Sequence, residues 1–201
     1  MTPLQSNNVT LLGFMHDDFT FSHETHCERF FTFTLKVERT SGTNDYIPIM
    51  ISEKMIDKRQ NYSGNPLCVI GCFRSFNKKS EDSTHLLLHV FATEFYIADD
   101  SPPVNNASFV GYICKKPAYR KTPLGRQITD MMIAIPRLYG KSDYIPCIAW
   151  GRNAVYTSQL NVGEQVQIEG RIQSREYQKT VGDTSETRTA YEVSVIQMYG
   201  V

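Results

Sequence analysis

The sequence predicts an all-β protein, with short helices, made of two copies of one small five-stranded barrel. Three observations carry that expectation. The first is an internal repeat: Asn7–Pro48 lies over Asn105–Pro146 at one offset of 98 without a gap, and nine of the 42 pairs are identical. They are Asn7/Asn105, Asn8/Asn106, Gly13/Gly111, Arg39/Arg137, Gly42/Gly140 and the run Asp45-Tyr46-Ile47-Pro48 over Asp143-Tyr144-Ile145-Pro146. Residue frequencies alone give roughly two or three matches over such a span, so the chain reads as a tandem duplication. The second is apolar alternation with period two, Phe33, Leu35 and Val37 standing over Met131, Ile133 and Ile135. The third is a one-residue shift that aligns Val69-Ile70-Gly71 with Ile168-Glu169-Gly170 and carries the repeat into a later strand.

In the second copy, strands are expected near Ser108–Cys114, Gln127–Pro136, Tyr144–Gly151, Val166–Tyr177 and Thr187–Met198. The third of these lies in Asp143–Arg152. Tyr144, Pro146, Ile148 and Trp150 share one face there, and Ile145, Cys147 and Ala149 share the other. In the fourth, Val166, Ile168, Gly170 and Ile172 alternate inward, leaving Gln167, Glu169, Arg171 and Gln173 outward. A short helix is expected at Ala154–Leu160, and Lys179–Thr187, with Gly182-Asp183, reads as a flexible hairpin tip. Pro48 and Pro146 cannot donate to a ladder, so a bulge or an unpaired edge is expected at both. Five strands with a helix between the third and fourth match the Greek-key barrel of the OB-fold, here two in tandem. The domains are then 1–97, a linker at 98–104 and 105–201, the join being the acidic, proline-containing Ala98-Asp-Asp-Ser-Pro-Pro-Val104.

Composition narrows the function. Of 201 residues, 41% are hydrophobic and 21% charged, enough apolar content to bury a core. No apolar run approaches the ~18 residues of a membrane span, and the start has neither the basic nor the apolar region of a signal peptide. Five scattered cysteines argue against a disulfide framework and fit a reducing, cytoplasmic setting. The net charge of +0 hides a split. Residues 1–104 hold 9 Lys and Arg against 13 Asp and Glu, and residues 105–201 hold 12 against 8, which points to an anionic partner for the second half.

The chemistry-bearing residues divide into one coherent set and several weak ones. Trp150 is the single tryptophan; with Arg152 beside it and Arg137 and Lys141 upstream, it reads as a platform for unpaired bases. No phosphate-binding Gly-rich loop, no Gly-x-Ser-x-Gly and no carboxylate pair bracketed by His is present, so no enzyme is expected. His16, Asp17, Asp18, His23, His26 and Cys27 crowd one stretch but match no closed zinc pattern, and no metal or cofactor is expected. Asp17-Asp18 would support a nuclease only with metal-stimulated cleavage. Cys68 and Cys72, four apart on one strand, face the same way as small hydrophobes. Phe30, Phe31 and Phe33 offer a protein-docking surface; alternation is expected to set Phe31 against the other two.

Asn105-Asn-Ala-Ser-Phe-Val-Gly-Tyr-Ile, Thr122-Pro-Leu-Gly-Arg, Ile145-Pro-Cys-Ile-Ala-Trp-Gly-Arg, Val166-Gln-Ile-Glu-Gly-Arg-Ile-Gln-Ser-Arg-Glu-Tyr and Thr189-Ala-Tyr-Glu-Val-Ser-Val resemble the bacterial single-stranded DNA-binding protein family in order and spacing, across 105–201. The resemblance implies sequence-tolerant, non-catalytic binding of single-stranded DNA in replication, recombination or repair. It puts base-stacking rings at Tyr139, Tyr144, Trp150 and Tyr177, and phosphate contacts at Arg126, Arg137, Lys141, Arg152, Arg171 and Arg175. It also implies four barrels, hence a homodimer of this two-barrel chain. In the first copy Ser41, Ser52 and Lys78 stand where Tyr139, Trp150 and Tyr177 stand in the second, and only Tyr46 matches. That copy is expected to serve packing or assembly. The family's long tail with an acidic-hydrophobic tip has no counterpart after Gln197-Met-Tyr-Gly-Val201, so tail-mediated recruitment is not expected and a mobile-element or primosome-type role fits better. A protein-interaction module and an RNA binder are the alternatives, since stacking does not exclude ribose.

Overall fold

The computed structural model describes residues 6–79, 84–99, 101–181 and 184–200. The first repeat runs β1 Asn7–Met15, β2 Thr20–Thr25, β3 Glu28–Glu38, β4 Asn44–Ser52, β5 Pro66–Lys79 and β6 Thr84–Ile97. The second runs β7 Val104–Ile113, β8 Ala118–Lys121, β9 Gln127–Pro136, β10 Ser142–Trp150, α1 Arg152–Thr157, β11 Gln165–Val181 and β12 Thr184–Gly200. In each repeat the first long strand pairs antiparallel with the fourth and closes back on the second, while the third and fifth pair in parallel: β1–β5, β5–β6, β6–β4, β4–β3, β3–β1, and likewise β7–β11 through β9–β7. This is the OB-fold barrel twice over, with the extra short strands β2 and β8 at the two edges.

The repeat identities have structural reasons. Asn7 sits in β1 and uses its amide as a false peptide, donating to Phe73 O and accepting from Phe73 N, both at 2.8 Å. Asn105 does the same with Ile172, at 2.7 and 2.9 Å. Gly13 and Gly111 let the curved first strand close on the second, for a Cβ at Gly13 would run into Lys36 O and one at Gly111 into Ala134 O. Gly71 and Gly170 mark a bulge. The ladder steps from Ile70↔Glu94 to Gly71↔Ala92 and from Glu169↔Gln197 to Gly170↔Val195, leaving Thr93 and Ile196 as the extra residues.

Two cores fill from the inward-facing positions. Leu35, Ile47, Ile49, Val69, Phe73 and Val90 are fully buried in the first barrel, and Ile135, Ile145, Ile168, Ile172 and Val193 in the second. Each such side chain contributes about 1.5–3 kcal/mol when removed from water. The barrels share one sheet, because β1 pairs antiparallel with β7 from Asn7↔Phe109 to Leu12↔Val104.

Several expectations need correcting. At Pro146 and Pro48 the unpaired edge expected as one alternative is present, and the bulge is not. Pro146 stands opposite Met132 and Pro48 opposite Thr34 in unbroken ladders, and the parallel ladder on the other side begins one residue later, at Cys147 and Ile49. The missing N–H therefore falls where no second neighbour needs it. The Lys179–Thr187 tip is mostly ladder, paired through Val181↔Thr184, with 182 and 183 outside the described residues. The helix begins earlier and ends at Thr157, and tight turns carry the chain on to Leu160. Phe33 is core and Phe31 packs partly buried against it. Phe30 lies on the opposite side, buried under His23 (stacked, centroids 5.1 Å apart) and beside Phe91. With both Phe30 and Phe33 covered, no exposed triple-Phe docking surface exists.

Candidate nucleic-acid interface

Period-two alternation on β10 delivers its rings to solvent. Tyr144 is 44% exposed and Trp150 37%, whereas Ile145, Cys147 and Ala149 between them are buried. Ile148 shares the outer face but is buried too. The two rings stand six residues apart on a strand without a bulge, hence roughly 20 Å apart. The outer face continues sideways across β12 to β11, in the row Ile148–Ser194–Arg171, with Glu192 opposite Gln173 one step on. Arg175 and Tyr177 follow on β11, both exposed. Burial pushes the Glu192 carboxyl above its ordinary range, and Arg175 opposes that shift.

Arg126 and Arg152 are exposed at one end of the platform, beside Trp150: one where the loop after β8 enters β9, the other at the start of α1. Trp150 stands opposite Ile128 there, and the Gly151 N–H donates to Gln127 O. Arg137 is differently placed. Its guanidinium is turned inward on the fully buried Asp143, with Nε donating at 2.6 Å and Nη2 in a second contact, and it also donates to Ser75 O at 2.9 Å. Arg74 of the first barrel reaches the same carboxylate at 2.9 Å. The first repeat has the counterpart, Arg39 on buried Asp45, and hydrogen bonding to Asp45 raises the Arg39 pKa. The frame of the repeat thus holds an ion pair at this point, and Arg137, a member of the proposed phosphate set, is committed to it.

Tyr139 and Lys141 do not share the β10 face. They lie on the turn between β9 and β10, where Tyr139 adopts a left-handed backbone (φ 63, ψ 33) and is 95% exposed. That turn overhangs the first barrel. Between them opens a cleft of about 1040 Å³. It is lined on the first-barrel side by Arg74, Phe76, Lys78 and Phe91, none of them a candidate binding residue from sequence. The signal was there: Arg74, Phe76 and Lys78 alternate cation, ring, cation on one strand face.

The His/Asp/Cys stretch is dispersed. Asp17 accepts from Thr34 Oγ1 at 2.7 Å, His16 packs edge-on to Tyr46, and His26 pairs with Thr25. Among the described residues no group of three or more His, Cys, Asp or Glu could hold a metal. Cys68 is buried on the outer side of β5, and Cys72, on the same side, lines the cleft. No helix among the described residues is long and apolar enough to cross a membrane.

Fold and surface together define a tandem OB-fold protein with a basic, aromatic strand face on its second barrel. Residues 104–199, just under half of the chain, match the sequence profile of the single-strand binding protein family. The single-stranded DNA-binding protein of Clostridium tetani is 31% identical over 86 residues, 39% of this chain and 59% of its own length. The chain spans little more than half the length of the curated relatives it matches. The crystal structure of the wild-type single-stranded DNA binding protein from Thermus aquaticus superposes on 97% of this chain and 92% of its own with a TM-score of 0.76 at 16% identity, a likeness of fold across both barrels. The N-terminal domain of the PriB protein from Thermoanaerobacter tencongensis is 38% identical, covering 47% of this chain and 98% of its own, at a TM-score of 0.41.

Proposed function

We propose that the chain binds single-stranded DNA without sequence preference and without catalysis, through the outer face of the second barrel. The observation that carries this is the pair Tyr144 and Trp150, two large rings exposed on an otherwise buried strand. Rings in that position add nothing to the core; they stack on bases, which all have a π-face. Tyr177 extends the ring set, and Arg126, Arg152, Arg171 and Arg175 hold phosphates, with Lys141 and Tyr139 at the margin. Arg137 supports them by fixing the turn that carries Tyr139 and Lys141. Residues 1–97 and 105–201 act as the two domains about the 98–104 join. A homodimer would bring four barrels together, as a tool of DNA replication, recombination or repair in a bacterial cytoplasm; sedimentation equilibrium of the full chain tests that assembly.

The decisive experiment is Trp150 fluorescence titrated with oligo-dT at two salt concentrations. Saturable quenching that weakens with salt, as counterions are released, supports the reading. An unchanged emission together with no retardation on a gel overturns it. The same titration with oligo-U separates DNA from RNA preference.

A further inference from the structure

The cleft between the barrels is left unused by the β10 platform. Its floor is the outer face of the first barrel, where Met50, Phe76, Leu87 and Phe91 meet. Phe76 is 59% exposed and Leu87 44%, so this floor is apolar surface without a full cover among the described residues. Its wall is the turn from the second barrel, with Tyr139 and Lys141. Its volume, about 1040 Å³, stands at the top of the ~300–1,000 Å³ usual for small-ligand sites, and it is open to solvent.

Charge says what fits there. Arg74, Lys78, Arg137 and Lys141 line the cleft, and no described lining residue is acidic. The one carboxylate behind it, Asp143, is fully buried and is shared by two of these four cations. The occupant is therefore anionic and carries flat apolar groups. Spacing agrees: Arg74, Phe76 and Lys78 recur on the outer face of β5 at roughly 7 Å intervals. Tyr139 adds a second sign. Its left-handed backbone costs about 1–3 kcal/mol, yet its ring, almost wholly exposed, makes no packing that would offset the strain. The cleft also adjoins the start of the β10 face, where the Tyr144 backbone N–H donates to the cleft-lining Ser75 Oγ at 2.8 Å, one residue from Phe76.

We propose that a single strand leaving the second barrel's face continues through this cleft onto the first barrel, its bases against Phe76 and Tyr139 and its phosphates on Lys78 and Lys141. This rests on the reading of the second barrel as a single-strand platform. The first barrel is then a second subsite built from different residues, rather than a packing copy. Lys78 stands where Tyr177 stands in the other repeat, and the ring has moved one strand period to Phe76. His89 lies beside the floor as a neutral ring at physiological pH, because burial pulls its pKa down to about 4.

The test uses the full chain and the double variant Phe76→Ala, Lys78→Glu, both exposed positions. Oligo-dT of graded length is titrated against each, read by Trp150 emission and by anisotropy of labelled DNA. Oligomers short enough to occupy only the second barrel should bind both proteins alike. Longer ones should bind the variant about tenfold or more weakly, the loss of one stack, with a smaller salt slope than wild type. Photo-crosslinking of a long iodouracil-substituted oligomer should mark peptides containing Phe76 or Tyr139. An identical length dependence in the two proteins, with crosslinks confined to β10–β12, overturns the proposal while leaving the platform intact. No response of wild-type Trp150 at any length overturns the platform itself. If an acidic, aromatic peptide binds in a Phe76-dependent way and long oligomers ignore the variant, the cleft is a protein-docking surface and the proposal fails.

Discussion

Ser75 in the first barrel accepts the backbone N–H of Tyr144 in the second at 2.8 Å, and its own N–H donates to Asp143 at 2.6 Å. The mirror arrangement joins Ser174 to Tyr46 at 2.9 Å and to Asp45 at 2.8 Å. Each barrel thus supplies a buried carboxylate to the other's fourth long strand. The turn before β10, which carries Tyr139, is tied by these bonds to the face it overhangs.

Removing that carboxylate should be costly. Asp143→Ala leaves Arg74, Arg137 and the Ser75 N–H without their shared acceptor, and loss of one partner of a buried pair costs about 3–5 kcal/mol. Urea unfolding should show a loss of that order, with Asp45→Ala, which strands one arginine, losing less. A loss below about 1 kcal/mol would mean the pair is not structural.

Trp150→Ala removes one stacking surface from an exposed position, so folding should hold while affinity for labelled oligo-dT falls by about 1–3 kcal/mol. Anisotropy reads this, since the variant has no tryptophan. Unchanged affinity would assign the ring to packing.

Charge on the platform should act in both directions. Glu192→Gln removes a half-buried carboxylate from beside Arg175, a proposed phosphate contact, and should tighten binding several-fold. Arg171→Gln should weaken it and lower the slope of log K against log salt by about 0.7. Slopes equal to wild type would place Arg171 off the path of the strand.

Two glycines that look alike in sequence should respond differently. At Gly170 a Cβ would meet Ser194 O and the Val193 side chain, so Gly170→Ala should cost about 1–3 kcal/mol by overpacking. At Gly42 nothing lies within 4 Å, but φ is +79. Gly42→Ala should therefore lose only the backbone term, about 1 kcal/mol. Thermal melts of the pair decide the order.

Acid should weaken the fold through His89. Burial holds its pKa at about 4, against 6.5 as its ordinary value, with Asp143 opposing and Arg137, Arg74 and His23 adding to the shift. Between pH 6.5 and 4 the unfolded chain takes up a proton that the folded chain refuses. Stability from this group is full above about pH 6.5 and falls toward pH 4, by at most on the order of 3 kcal/mol. His89→Leu should flatten that part of the stability–pH curve. An unaltered curve would show that His89 ionises freely in the folded state.

The long strands were legible in the residues because each writes its own alternation. Gln127–Pro136 was placed to the residue, and β10 within one or two. The edge strands Thr20–Thr25 and Ala118–Lys121 were missed; every residue in them is exposed, so no apolar period marks them. The hairpin tip was misread because Gly182-Asp183 signals a turn but not how far the ladder runs up to it.

Within the candidate site, Tyr144 and Trp150 announced themselves by residue type and strand parity, whereas Tyr177 followed only from the family resemblance. Arg137 did not reveal its commitment, because a cation near aromatics looks the same whether its partner is a phosphate or Asp143. Phe76 and Lys78 were passed over since a position-by-position comparison of the repeats scores a ring shifted by one strand period as a ring lost.

The sequence alone determined that there are two barrels, which residues line their cores, and that the second carries the exposed rings. Those properties depend on periods of two residues within single strands. Tertiary structure decided that Tyr139 and Lys141 face the first barrel, and that Asp143 binds Arg74, 69 residues away. It also decided that a cleft lies between the copies. Those depend on the β1–β7 register, which sets how one twisted barrel is rotated against the other, and no local pattern encodes that rotation.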